Sequence, residues 1–332
     1  MHALVTLDEI KSARERIKST AVYTPMLEVV WPGLKPSSPQ APKTAVPLFL
    51  KCENLQPMGA FKIRGAFNMI AQLPKENLER GVITYSSGNH GQAVAMAARQ
   101  LGAPAVIVMP TTAPQVKIDG CKSYGAEVIM AGTTSVDRQS RAEQEASGRG
   151  LTIVPPFDHR QIIIGQGTMG LEILEQCPDV ATVIVPVGGG GMASGVSAAI
   201  KLSNPSVRIV AVEPTGAPKM SKSLEAGHPV TLPWSKSIAD GLMNLRPGDI
   251  TFAHIQKFVD EVVMVGEDDI ASAVAWLFRN ARLVVEPSGA VTTAAMALGL
   301  GNVDVTKGPV VAVVSGGNVS PESFAKYVSI GV

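Results

Sequence analysis

Lys62 lies in the run Gln56-Pro57-Met58-Gly59-Ala60-Phe61-Lys62-Ile63-Arg64-Gly65-Ala66, between an aromatic and an apolar neighbour. Such neighbours strip water from an ammonium, lower its pKa and free the amine to attack a carbonyl carbon. Most lysines are solvated surface charges, so the residue alone leaves both roles open. Three other stretches have the composition of ligand sites. Gly188-Gly189-Gly190-Gly191 has no Cβ in four residues, which lets successive N–H groups converge on one anion. It is neither a P-loop, since no Gly-Lys-Ser/Thr follows, nor a G-x-G-x-x-G turn. A tight turn that needs glycine for packing is the alternative. Ser86-Ser87-Gly88-Asn89-His90-Gly91-Gln92 offers hydroxyls, an amide and N–H groups where a helix begins, suited to a carboxylate or a phenolic oxygen. A hydrogen-bonded His90 with no catalytic role is the reading that the residues favour. Ser315-Gly316-Gly317-Asn318 sets a hydroxyl where it could meet a ring nitrogen, although such a run is often only a turn.

The surrounding pattern supplies the elements that must position these groups. Thr6 caps a first helix with Glu9 three residues on. A strand over 48–52 delivers the chain to Lys62, and a helix follows over 63–73. Then come a strand at 81–85, a helix at 93–101 stopped by Gly102, a strand at 105–110, a helix near 114–124, a strand at 127–130 and a helix at 136–147. Residues 155–159 break the pattern and read as a crossing between domains. After them the pattern gives a helix at 167–175, strands at 183–187 and 207–214 flanking a helix at 196–202, helices at 270–281 and from 286, and a strand at 310–314. This alternation implies right-handed crossovers and parallel sheets, with ligands beyond the carboxyl ends of the strands. Residues 31–47, rich in Pro, Ser and Lys, read as a surface loop.

Composition narrows the function classes. The 332 residues suffice for two domains, and 45% hydrophobic with 17% charged residues suits a compact enzyme. A net charge of +1 gives no reason to expect nucleic acid or an anionic membrane as partner. Cys52, Cys121 and Cys177 form no CxxC, so reduced thiols and no zinc site are expected. With no signal-like N-terminus and no apolar run of about 18 residues, a cytoplasmic location is expected.

Taken together, these segments resemble the pyridoxal-phosphate enzymes of fold type II, in particular the threonine dehydratase and serine racemase group. The likeness spans nearly the whole chain and rests on Lys51 to Gln56, Phe61 to Ala66, Ser86 to Gln92, Gly165-Gln166-Gly167-Thr168, Val187 to Gly191, Ala239-Asp240-Gly241 and Ser315 to Asn318. The resemblance implies a tryptophan-synthase-β-like α/β fold with two open parallel-sheet domains and the cofactor, pyridoxal 5'-phosphate, between them. Residues 1–76 and 160–332 would form the large domain and 77–159 a small mobile one. Lys62 would carry the cofactor as a Schiff base, Phe61 would pack beside its ring, and Asn89 would bond the phenolic oxygen. Gly188, Gly189, Gly190, Gly191 and the Met192 amide would hold the phosphate, and Ser315 would face the ring nitrogen. Ser86, Ser87, Asn89 and His90 would contact the substrate, with Ser87 at the position of the racemases' second acid/base group.

The implied reaction converts a β-hydroxy-α-amino acid to a 2-oxo acid and ammonia, and serine-type racemisation by Lys62 and Ser87 is the alternative. Met58, Ala60 and Leu242-Met243-Asn244 suggest a roomy pocket that would admit a β-aryl substrate such as phenylserine, or else they pack the core. Glu213 and Ala217 match a divalent-cation site of the family, but Lys219 stands where an acid is expected, so no metal is expected. The family implies a homodimer. The short stretch after Ser315 leads to the expectation of no C-terminal regulatory domain.

Overall fold

The structure, a computed structural model, describes residues 3–30, 47–86, 88–113, 115–304 and 306–330. The loop expected over 31–47 lies outside the described residues apart from Pro47. Six strands make one sheet in the order Met26–Val29, Leu48–Cys52, Val310–Val314, Thr182–Pro186, Arg208–Pro214, Glu261–Val265. Four make a second in the order Glu127–Met130, Ala105–Met109, Val82–Tyr85, Thr152–Ile153. Three strands, Ala105–Met109, Thr182–Pro186 and Val310–Val314, are buried at every residue, as parallel strands covered on both faces must be.

One edge departs from the expected all-parallel sheets. Met26–Val29 pairs antiparallel with Leu48–Cys52, Met26 facing Lys51, while every other pairing is parallel. Met-Leu-Glu-Val has neither an apolar run nor a buried alternating face, so only its partner's free edge makes it a strand. Several helices begin earlier than their apolar pattern. Asn89–Gln100 takes Asn89 and His90 into its first turn. Gly191–Ser203 begins at the last of the four glycines. Arg160–Gln176 begins where the His159 ring accepts from the Gln161 N–H at 3.2 Å. At the N-terminus Thr6 and Glu9 form the expected capping box.

The helix after Lys62, Ile63–Ile70, is buried at all eight residues and stops short of the expected 73. It crosses Arg160–Gln176 at backbone contact: a Cβ on Gly165 would lie 2.6 Å from the Gly65 Cα. Gly165 is thus a packing device at that crossing, and Gly167 is one against Gly195, whose carbonyl a Cβ would approach to 3.0 Å. Around the crossing lie four charges hidden from solvent. The Arg64 guanidinium donates to both Glu53 oxygens at 2.8 Å and to Glu172 at 2.6 Å, and Lys51 Nζ reaches Glu172 at 2.6 Å. Burial alone would raise the Glu53 pKa, but Arg64 overrides it and holds the carboxyl below its ordinary range.

Two cations and two anions balance, so removing one partner strands a buried charge. Glu172→Ala is expected to lower the unfolding free energy by about 3–5 kcal/mol in a denaturant titration. A loss below about 1 kcal/mol, the range of exposed pairs, would contradict this account.

Candidate active site

Strand ends from both sheets meet around Lys62. The Phe61 N–H donates to the Ser315 carbonyl at 3.1 Å, and Ala60 bridges to Gly316, so the Lys62 segment lies along the end of strand Val310–Val314. Lys62 is half-buried, and its Nζ donates to the Pro156 carbonyl at 2.7 Å and sits 5.1 Å from the Phe61 ring centre. No carboxylate is recorded on this ammonium among the described residues, so burial acts unopposed and pushes its pKa down to about 8. About a tenth of the amine is then neutral and nucleophilic at pH 7, far more than for a solvated lysine.

The glycine run makes the turn after strand Thr182–Pro186. Gly190 has φ +104°, which excludes side chains, and caps the following helix. A Cβ on Gly189 would fall 2.4 Å from the Phe157 ring, and one on Gly190 would fall 2.8 Å from Thr251. Thr251 also donates its hydroxyl to the Gly189 carbonyl at 2.6 Å. Among the described residues, none of the N–H groups of residues 188–193 donates to another protein group. Successive free N–H groups at a helix N-terminus form an anion site.

Asn89 is held at both ends. Its Nδ2 donates to Glu286 Oε1 at 2.6 Å, and its Oδ1 accepts from Asn318 Nδ2 at 2.8 Å. Glu286 is 5% exposed, and burial, followed by the nearby Asp240 carboxylate, pushes its pKa up to about 8. It is a neutral acid at pH 7. His90 is buried with Nε2 3.0 Å from the Val154 carbonyl, and burial, followed by the Lys62 charge, pushes its pKa down to about 3. Such a ring stays uncharged, in keeping with a hydrogen-bonded helix-start histidine. The Ser86 hydroxyl accepts from the Gly88 N–H at 3.3 Å. Ser87 lies outside the described residues. The Ser315 hydroxyl is buried, and its one recorded bond, to the Ser288 carbonyl, is long at 3.5 Å.

The residues present fit a phosphate-bearing aldehyde. The free N–H groups suit the phosphate, Lys62 the aldehyde carbon, Asn89 a phenolic oxygen and Ser315 a ring nitrogen. Three contributors escape a reading of the sequence. Phe157 covers the glycine turn, and Asp158 next to it accepts from the N–H groups of Asp249, Ile250 and Thr251. Glu286 opens helix Pro287–Ala297, a place where a glutamate is ordinarily exposed, and only the fold buries it. Met58, Ala60 and Leu242 are buried within hydrophobic clusters, so packing accounts for them.

Known proteins resemble this chain in sequence and fold. A family model described as pyridoxal-phosphate dependent enzyme matches residues 30–316. The chain is 41% identical over 329 residues to a protein named L-threonine ammonia-lyase from Thermotoga maritima, covering 99% of this chain and 79% of that one. It is 37% identical over 329 residues to a serine racemase from Schizosaccharomyces pombe, covering 98% of each. Among solved structures, maize serine racemase matches with a TM-score of 0.88 at 37% identity, over 98% of this chain and 97% of that one. The processed form of a threonine deaminase from Solanum lycopersicum matches with a TM-score of 0.86 at 35% identity, over 100% of this chain and 90% of that one.

In the cofactor-free chain the Lys62 amine is expected to react with a small aldehyde at a rate that rises through about pH 8. Reductive alkylation followed by peptide mass analysis reads this directly. A midpoint near the ordinary lysine value of 10.5 would contradict a desolvated amine.

Proposed function

Because the chain belongs to the pyridoxal-phosphate dependent enzymes and has the fold of their type II members, we propose that it is a hydroxy amino acid dehydratase. The substrate is a β-hydroxy-α-amino acid of the threonine or serine type, and the products are a 2-oxo acid and ammonia. The observation that carries this reading is the pairing of a desolvated Lys62 amine with uncharged partners, Asn89 and Ser315, where the cofactor ring would lie. When bound, pyridoxal phosphate supplies an aldehyde for the substrate amine and a ring that draws electron density from the α-carbon.

The chain's residues do the rest. The N–H groups of Gly188 to Met192 would hold the phosphate, and Phe61 and Asn89 would orient the ring. Lys62 Nζ would be the base that takes the α-proton. At the ring nitrogen a serine hydroxyl, unlike a carboxylate, makes no ion pair. Such a hydroxyl would leave the ring nitrogen without a counter-charge, which would suit loss of the β-hydroxyl better than transamination. Ser86 and the neutral His90 would line the substrate carboxylate, with Ser87 assigned there by the resemblance alone. Residues 77–159, which carry the four-stranded sheet, close over the substrate against 1–76 and 160–332. The Lys117–Asp240 ion pair, at 2.7 Å, joins the two bodies.

Racemisation is the second reading, favoured by the likeness to serine racemases and requiring Ser87 as an acid on the opposite face. The test is 2-oxo acid release from L- and D-serine, threonine, phenylserine and 3-hydroxyaspartate by the holoenzyme. A strong response to L-threonine or L-serine is expected, falling by about 10²- to 10⁴-fold in Lys62→Ala, the usual worth of a proton-transfer group. A preference for phenylserine would move the substrate class to β-aryl. Change of chirality without 2-oxo acid would replace the dehydratase with a racemase.

A further inference from the structure

Behind the glycine turn a lysine is buried where helix electrostatics disfavour one. Lys219 is the first residue of helix Lys219–Ala226, at the positive end of the helix dipole, which disfavours a cation. Its side chain is 0% exposed. Nζ is surrounded by three oxygens: the Val187 carbonyl at 3.0 Å, the Ala217 carbonyl at 3.2 Å and Glu213 Oε2 at 3.2 Å. These match in number the three N–H donors of an ammonium, two carbonyls as hydrogen-bond acceptors and the carboxylate as ion-pair partner. Burial lowers the Lys219 pKa and the Glu213 carboxylate opposes that shift. Glu213, also 0% exposed, accepts in addition from the Met220 and Ser221 N–H groups and the Ser221 hydroxyl.

One carboxylate and two carbonyls are the donor set of a hard cation. The resemblance puts a divalent ion at Glu213 and Ala217, but Nζ occupies the middle of that set, so the residues here do not fit a metal. The two other groups of the cage have structural reach. Val187 immediately precedes Gly188, and its own N–H is fixed to the Val212 carbonyl at 2.8 Å. We infer that Lys219 is a tethered cation: its ammonium fills an oxygen cage from within the chain and, through the Val187 carbonyl, holds the glycine turn in shape. Lys219 is thus a positioning residue that frees the protein from any dissolved cation.

The link to the cofactor rests on the proposed phosphate role of the glycine turn, whereas the cage itself is independent of it. The test compares the wild type, Lys219→Ala and Lys219→Met by thermal midpoint and by cofactor affinity, titrated in absorbance, with chelator or with added ammonium, potassium or magnesium. Wild-type midpoint and affinity are expected to be unmoved by chelator or by any added cation. Lys219→Ala is expected to bind cofactor about tenfold or more weakly, the loss of a charged hydrogen bond. An added cation should restore its midpoint and affinity. Lys219→Met, which fills the cage without charge, should lose as much and recover nothing. A wild type that responds to magnesium or chelator would overturn the inference. So would a Lys219→Ala chain that is unaffected, or that no cation restores or refolds. Absence of cofactor binding by the wild type would sink the proposed function alone, since the cation dependence of the midpoint still decides the cage.

Discussion

The position of Lys62 depends on a set of charges that never meets water. Lys51 and Glu53 stand at the end of a central strand, Arg64 on the helix that follows Lys62, and Glu172 on the helix crossing it. Each is costly to bury alone, and the cost is offset only when all four are in register. The network therefore fixes the angle at which the chain turns from strand into helix. Lys62 sits on that turn, two residues before Arg64, and inherits its precision. A surface ion pair in the same place would give little of this, because solvent screens it and side-chain entropy opposes it.

Around Lys62 the electrostatics run the other way. Burial works against charge here: it lowers the Lys62 pKa and favours the protonated acid at Glu286 and the uncharged ring at His90. Preformed dipoles with no protein partner are the arrangement that catalysis by charge stabilisation requires. The glycine turn carries this furthest, offering N–H groups with no protein acceptor among the described residues. The Lys219 ammonium donates to the Val187 carbonyl, immediately before that turn, at 3.0 Å.

Much of this could be read in the residues, for physical reasons. Apolar β-branched runs such as Val310–Val314 and Thr182–Pro186 announce buried parallel strands, and glycines announce the turns at their ends. Lys62, the four glycines, Asn89 and Ser315 are all next to such ends, so local pattern and spacing bring them together. What escaped was set by distant contacts. The edge strand Met26–Val29 exists because Leu48–Cys52 has a free side, and its own residues carry no strand signal. Glu286 becomes a site residue because Asn89, far away in sequence, points at it. Asp158 reads as part of a crossing, yet it caps a helix beginning at Asp249. The buried Lys219 reads in the sequence as a missing acid, and only its three oxygen partners show what it does.

The most direct measurement of the central claim is borohydride reduction of the holoenzyme followed by peptide mapping. Reduction fixes the cofactor's aldehyde carbon to whichever amine holds it. The account predicts the added mass on the peptide containing Lys62, with loss of the cofactor's visible absorption band. The mass on Lys51, Lys219 or another lysine, or on none, would contradict the assignment of this site.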